Sequence, residues 1–397
     1  LVLIAASSII PATATAKGAN AILAPGYVIV TGGRITEVGS WPPPGRPDIE
    51  LSTGFLVPGL VDLQVNGYFG VELGDADPAG WAEVVRRLPE TGATAFLPTF
   101  ITSPIDQIVA ALRATAGFAP AMTEPGRGPA GARVLGVHLE GPFIGPSRRG
   151  AHNLDWIIKP DAKAIGALLT AGAGLIRVVT LAPEVDGAMA AIEQLTAAGV
   201  IVSVGHSDAT AAQVAAAATA GARLVTHLFN AQRPMHHREP GVVGQALTDG
   251  RLASGLIADL HHVAGPVAGL AFRAAPERIF LVTDAAASAG MSRGRYVLGG
   301  EPINVSGADG TPPVRADGTL AGSALRMDAA IANMVAVGIG LPDAVAAATR
   351  IPADLIGRPD LGRIEVTAAA DLTWLNDDLR TAATWVAGDR LYGPVLG

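Results

Sequence analysis

The chain has no cysteine, which excludes a disulfide framework and any thiolate metal site, so metal ligands must come from histidine, aspartate or glutamate. Lysine is nearly absent as well, at positions 17, 159 and 163 only, and arginine carries almost all the positive charge. Charged residues are scarce at 16%, the net charge is −7, and no long basic run occurs, so the electrostatic footprint of a nucleic-acid binder is missing. No apolar run reaches the roughly 18 uncharged residues that a membrane span needs. What remains is a 397-residue chain that is 49% hydrophobic, a composition that suits a large buried core and excludes a disordered chain. A soluble, cytoplasmic protein is expected. Residues 1–10, followed by Ala12-Thr13-Ala14, imitate a signal peptide with a small-residue cleavage site, but a positive leading region is lacking. Val28-Ile29-Val30, Gly32-Gly33 and residues 34–38 continue the segment as short strands and turns, so it is read as a β-strand.

From residue 60 to about 284 one unit repeats: a short apolar run, a polar residue at its end, and an alanine-rich helical stretch. The runs occupy 60–66, 93–99, 133–140, 175–182, 200–206, 223–227, 252–259 and 278–284. Eight buried parallel strands with intervening helices close most simply into a (β/α)8, TIM-like barrel, because closure removes exposed sheet edges; an open doubly wound sheet is the alternative. The barrel is favoured because Gln64, Asn66, Glu140, His206, His227, Asp259 and Asp284 all fall at C-terminal ends of runs, the catalytic face of such a barrel. Residues 285–320 suggest a glycine-rich excursion with a strand at 295–298, after which helices at 323–338 and 343–348 complete the barrel. Residues 1–57 and 356–397, the latter with strands at 371–375 and 384–386, are expected to share one small β-sandwich formed by both termini, leaving 58–355 as the barrel.

Val137-His138-Leu139-Glu140-Gly141-Pro142 ends an apolar strand on a carboxylate that, taken alone, reads as a solvated turn residue. Gly205-His206-Ser207-Asp208 and Thr226-His227-Leu228 place two imidazoles at the ends of the fifth and sixth runs. Adjacent barrel strands bring those ends together, so Glu140, His206 and His227 form a metal site of three protein ligands that leaves a position for water. Asp284 ends the eighth run at the same mouth; it is either an N-cap or, opposite the ligands, the group that takes a proton from the attacking water and returns it to a leaving amine. His152, in the loop after the third strand, is placed to hydrogen-bond an oxyanion, and Asp259-Leu260-His261-His262 ends the seventh run. Arg238, in a Gly/Pro loop after the sixth run, is either a solvated loop residue or a phosphate ligand, for which its planar guanidinium is suited.

Together with Pro58-Gly59-Leu60-Val61-Asp62, Asn230-Ala231, Thr283-Asp284-Ala285 and Leu320-Ala321-Gly322-Ser323, these motifs resemble the N-acetylglucosamine-6-phosphate deacetylase family of the amidohydrolase superfamily over nearly the whole chain. The resemblance implies a homodimer and metal-assisted hydrolysis of the acetamide of an amino-sugar phosphate. It implies that Glu140, His206 and His227 hold the metal, that Asp284 is the acid/base, and that His152 helps polarise the acetyl carbonyl. It further implies that Asn230, Ala231 and His262 contact sugar or phosphate, with Arg238 a phosphate ligand supplied across the dimer. Many amidohydrolases carry His-x-His after the first strand, where this chain has Gln64-Val65-Asn66, and none of its lysines ends a barrel strand. One divalent cation is therefore expected; zinc suits the ligands, and Fe(II), Mn(II) or Co(II) would also be accommodated. The rivals are the galactosamine epimer as substrate and a non-catalytic, metal-dependent sugar-phosphate sensor.

Overall fold

The computed structural model describes residues 1–13, 22–122, 130–307 and 310–394; Ala14 of the leader-like segment and Lys17 lie outside them. Eight parallel strand positions follow one another around a single sheet: Leu60–Val65, Ala93–Ile101, a third broken into Arg133–Val134 and Val137–Glu140, then Ile176–Leu181, Ile201–Val204, Leu224–Val225, Ala253–Ile257 and Ile279–Val282. Apart from the exposed Arg177 and half-buried Ile201, these strands are buried on both faces, as helices packed outside a barrel require, and hence read as apolar runs rather than alternating ones. Gly136 interrupts the third strand at φ +126°, where a Cβ would meet the Leu175 carbonyl oxygen at 2.5 Å.

The sheet closes between its last and first strands through a buried carboxylate. Asp62 accepts from the Thr283 hydroxyl at 2.5 Å and from the backbone N–H groups of Thr283 and Gln64, both at 3.2 Å. Just above it the Asp284 N–H donates to the Gln64 carbonyl at 2.9 Å, and Val65 bridges Ala285. The barrel is thus realised and the open sheet excluded.

The helix expected at 323–338 begins later, at Met327–Ala336. Ser323 is held extended beside the eighth strand by donating its N–H to the Asp284 carbonyl at 2.8 Å and its hydroxyl to the Thr283 carbonyl at 2.5 Å. A helix at Leu341–Ala348 follows, and another at Arg350–Leu355 carries no separate signal in the sequence. The excursion is an antiparallel hairpin, Gly294–Leu298 with Glu301–Val305, that packs Leu298 and Ile303 against Ile101, Ala286 and Ala321 over the C-terminal mouth. Asn153 donates to Glu301 at 3.0 Å and Arg315 to the Ala151 carbonyl at 2.6 Å, which ties the hairpin to the loop carrying His152.

Both ends of the chain build one β-sandwich. One sheet runs Arg34–Ser40, Gly26–Thr31, Val2–Ala6, Ile49–Leu51 and the other Asp389–Tyr392, Thr381–Val386, Leu372–Leu375, Phe55–Pro58. Ile4, Val28 and Leu51 of the first meet Leu56, Leu372 and Trp385 of the second in a separate core. Within the leader-like segment, Val2–Ala6 is an interior strand, paired on both edges. Among the described residues no helix is long and apolar enough to cross a membrane.

Sandwich and barrel are joined by a buried ion pair. Arg133 meets Asp371 with two hydrogen bonds of 2.7 and 3.0 Å, and the side chains are 6% and 2% exposed. Removing one partner strands the other charge in the interior, so Asp371→Ala is expected to cost about 3–5 kcal/mol. Equilibrium urea unfolding checks this: a loss below about 1 kcal/mol would mean that the pair is not holding the two modules together.

Candidate active site

Three of the strand ends deliver one compact cluster. Glu140 Oε1 stands 3.1 Å from His206 Nε2 and 2.9 Å from His227 Nε2, and the two ring nitrogens are 3.1 Å apart. All three side chains are buried. Bonds of about 2.0–2.1 Å to a tetrahedral cation put neighbouring ligand atoms about 3.3 Å apart, so these spacings are nearly those of a ligand set. His206 Nδ1 is 3.0 Å from the Arg148 carbonyl oxygen, which can only accept; the ring proton is therefore on Nδ1 and Nε2 presents its lone pair to the cluster. His152 also approaches, with a ligand atom within 4.8 Å of those of Glu140 and His206, but the combination with His227 is the tighter one.

The backbone at this mouth is unusual: His206, His227 and Asp284 have φ of +47°, +29° and +51°. The left-handed region costs a non-glycine residue about 1–2 kcal/mol, and here it turns each side chain inward as its strand ends. Behind His206 the turn is anchored by Glu184, whose carboxylate accepts from the Ser207 hydroxyl at 2.7 Å and the Asp208 N–H at 2.5 Å.

Asp284 faces the cluster. Its Oδ1 accepts from Asn66 Nδ2 at 2.7 Å and Gln64 Nε2 at 3.0 Å, and the same Gln64 amide donates to Glu140 Oε1 at 3.1 Å. One amide thus spans both carboxylates. The two carboxylates are tuned in opposite directions. Burial and the Glu140 charge push Asp284 up to about 6. Burial also opposes ionisation of Glu140, but the hydrogen bonds and charges of His206 and His227 outweigh it and hold Glu140 well below the usual carboxylate range. Directly beneath, burial pushes Asp62 up to about 7.

A cavity of about 270 Å³ opens over this cluster. It is lined by Asn66, Glu140, His152, His206, His227, Asn230, Ala231, His262 and Asp284, together with Ile101 and the excursion residues Leu298, Leu320 and Gly322. His152 sets Nδ1 2.7 Å from the Thr102 hydroxyl, and burial pushes its pKa down to about 3, so the ring is neutral. His262 gives its Nδ1–H to Asp259 at 2.6 Å. Gln64 sits behind the lining. Arg238 stands apart, exposed in the turn closed by His236 and Glu239, where its NH1 lies 2.9 Å from His237 Nε2.

Three supporting residues escape a reading of strand ends. Asp62 had a signal, since a carboxylate inside an apolar run needs partners. Glu184 lies two residues beyond the fourth run, close enough to have been counted as a strand-end carboxylate. Thr102 carries none, because a hydroxyl after a long apolar strand is commonplace.

Residues 55–391 match the amidohydrolase family. The N-acetylglucosamine-6-phosphate deacetylase of Bos taurus is 39% identical over 350 residues, covering 85% of this chain and 83% of the relative. The N-acetylgalactosamine-6-phosphate deacetylase of Escherichia coli O157:H7 is 38% identical over 342 residues, covering 85% and 88%. The crystal structure of N-acetyl-D-glucosamine-6-phosphate deacetylase from Mycobacterium smegmatis superimposes with a TM-score of 0.91 at 34% identity, over 99% of this chain and all of that one.

Proposed function

Because this chain belongs to the N-acetylglucosamine-6-phosphate deacetylase family of amidohydrolases, we propose that it hydrolyses the acetamide of N-acetyl-D-glucosamine 6-phosphate. The products are D-glucosamine 6-phosphate and acetate, in amino-sugar metabolism. The observation that carries this reading is the pairing of a tight Glu140–His206–His227 cluster with a separately buried carboxylate, Asp284, whose pKa is raised toward neutrality.

Glu140, His206 and His227 would hold one divalent cation; zinc fits one carboxylate and two imidazoles, and Fe(II), Mn(II) or Co(II) would fit as well. When bound, it supplies Lewis acidity that polarises the acetyl carbonyl and acidifies water. Asp284, held by the amides of Gln64 and Asn66, takes the proton from the attacking water and returns it to the leaving amine. His152 donates to the acyl oxygen as negative charge develops there. His262 and the Asn230-Ala231 segment hold the sugar and phosphate, and binding energy far from the reacting bond orients the acetamide. Arg238, remote from the cavity of its own chain, reads a phosphate across the interface of a homodimer. A phosphorylated metabolite as substrate supports a cytoplasmic enzyme.

The 38% identity to a galactosamine-directed relative favours the epimer as the second reading. Acetate release from N-acetylglucosamine 6-phosphate, its galactosamine epimer and unphosphorylated N-acetylglucosamine, with Zn(II) and after chelation, separates the readings. Fast, metal-dependent release from the first alone is expected. Release from the epimer alone would change the sugar and keep the chemistry, whereas binding without release from any of them would leave a sensor.

A further inference from the structure

We propose that Thr102 is a positioning residue: its hydroxyl donates to His152 Nδ1, fixes the ring proton on Nε2, and so keeps His152 a donor to the acyl oxygen and out of the metal's ligand set. The inference rests on the deacetylase reading of the site. Of the four histidines that line the mouth, three have a partner at Nδ1, and the partners differ. His206 faces the Arg148 carbonyl at 3.0 Å and His262 the Asp259 carboxylate at 2.6 Å. Both partners only accept, so each neutral ring must carry its proton on Nδ1 and expose a bare Nε2. His152 alone faces a hydroxyl, at 2.7 Å, and a hydroxyl can donate.

Thr102 has one proton to give and two acceptors. The Glu140 carbonyl oxygen is at 3.3 Å, near the limit of a hydrogen bond, while the imidazole nitrogen is closer and the stronger base. The proton goes to Nδ1, and the one proton of the neutral ring stays on Nε2. The consequence is larger than the orientation of one ring. A ring nitrogen of His152 lies within 4.8 Å of the ligand atoms of Glu140 and His206, and with Nδ1 taken by Thr102 a bare Nε2 would be free to become a fourth protein ligand and close the site in the manner of a structural zinc centre. Protonated, it cannot ligate, and a coordination position stays open for chemistry.

Thr102→Val removes the donor at nearly constant volume and frees the ring to move its proton to Nδ1. The expected result is a pair of opposite effects: kcat falls about 100-fold, the loss of one oxyanion donor, while zinc is held about tenfold more tightly against a competing chelator. Thr102→Ser, which keeps the hydroxyl, should restore both. Plain structural damage would weaken metal binding along with turnover, and that outcome, or a wild-type kcat in the valine variant, overturns the proposal. A neutron structure of the zinc-loaded wild-type protein reads the tautomer without reference to activity. Deuterium on His152 Nε2 is expected, and deuterium on Nδ1 sinks the inference. Failure of the wild type to release acetate would instead refute the deacetylase reading.

Discussion

Asp284→Asn is expected to retain metal and bind substrate while turning over at least about 1000-fold more slowly than the wild type, the upper range for a lost general acid–base. The substitution is nearly free of structural cost. Both amide donors, from Gln64 and Asn66, fall on Oδ1, which an asparagine keeps. What is lost is the ability to accept a proton from water and hand it to the amine, so kcat should fall and KM should hardly move. Comparing kcat and KM with metal content measured on the same samples checks this, and wild-type turnover in a fully metallated variant would remove Asp284 from the mechanism. In the wild type, burial and the Glu140 charge put Asp284 at about 6 without a cation, and a cation's charge acts the other way. Asp284 must be ionised to act as the base, so the acid limb of the kcat profile should lie at or below pH about 6.

Glu140→Gln is expected to abolish activity by a different route, through the metal. Glu140 is the shared partner of both imidazoles and of Gln64. An amide in its place is a poor ligand, so zinc content should fall from about one per chain to near zero and turnover by about 10⁴-fold, the several kcal/mol that a Lewis acid supplies. Chelation of the wild type should do the same reversibly and lower its melting temperature, since a ligand bound only by the folded state stabilises it. A Glu140→Gln protein that still carries stoichiometric zinc would show that Glu140 is not a ligand. Protons compete for this cluster. Burial lowers the pKa of His227, but its hydrogen bond to Glu140 and the charges of Glu140 and Asp284 outweigh that and leave it raised. Protonated His227 therefore stabilises the metal-free protein in acid, and this contribution is lost as pH rises through its raised pKa. Metal affinity runs the opposite way, weakening as pH falls, which zinc titrations across the acid range will measure.

What could be read from the residues divides along physical lines. The eight runs and their polar ends were legible because a strand buried on both faces must be apolar until it emerges, so Glu140, His206, His227 and Asp284 mark the point where each chain segment leaves the core. The late start of the helix at Met327 was not legible, because Ser323 is held by the eighth strand, a partner some 40 residues away that no local propensity encodes. The third strand was expected as one piece; it breaks at Gly136, whose φ of +126° and lack of room for a Cβ beside Leu175 and Arg177 admit only glycine. Thr102 and Glu184 act through hydrogen bonds to side chains distant in sequence, and single residues of common type leave no pattern.

The small sandwich has its two sheets sewn together from opposite ends of the chain, and this sets a clock on biosynthesis. The strand Phe55–Pro58 pairs along its length with Leu372–Leu375 and touches the N-terminal segment only through the Leu56 bridge to Ile9, while Ile4, Val28 and Leu56 lie against Leu372 and Trp385. At a translation rate of about 5–20 residues per second, the first half waits roughly 15 seconds to a minute for the second. For that interval a nascent chain carries an apolar sheet face and an unpaired strand edge into the crowded cell, the conditions for adhesion between neighbouring chains. A ribosome that stops short of Leu372 leaves a barrel whose companion never closes, so late frameshifts in the gene should prove as damaging to yield as early ones.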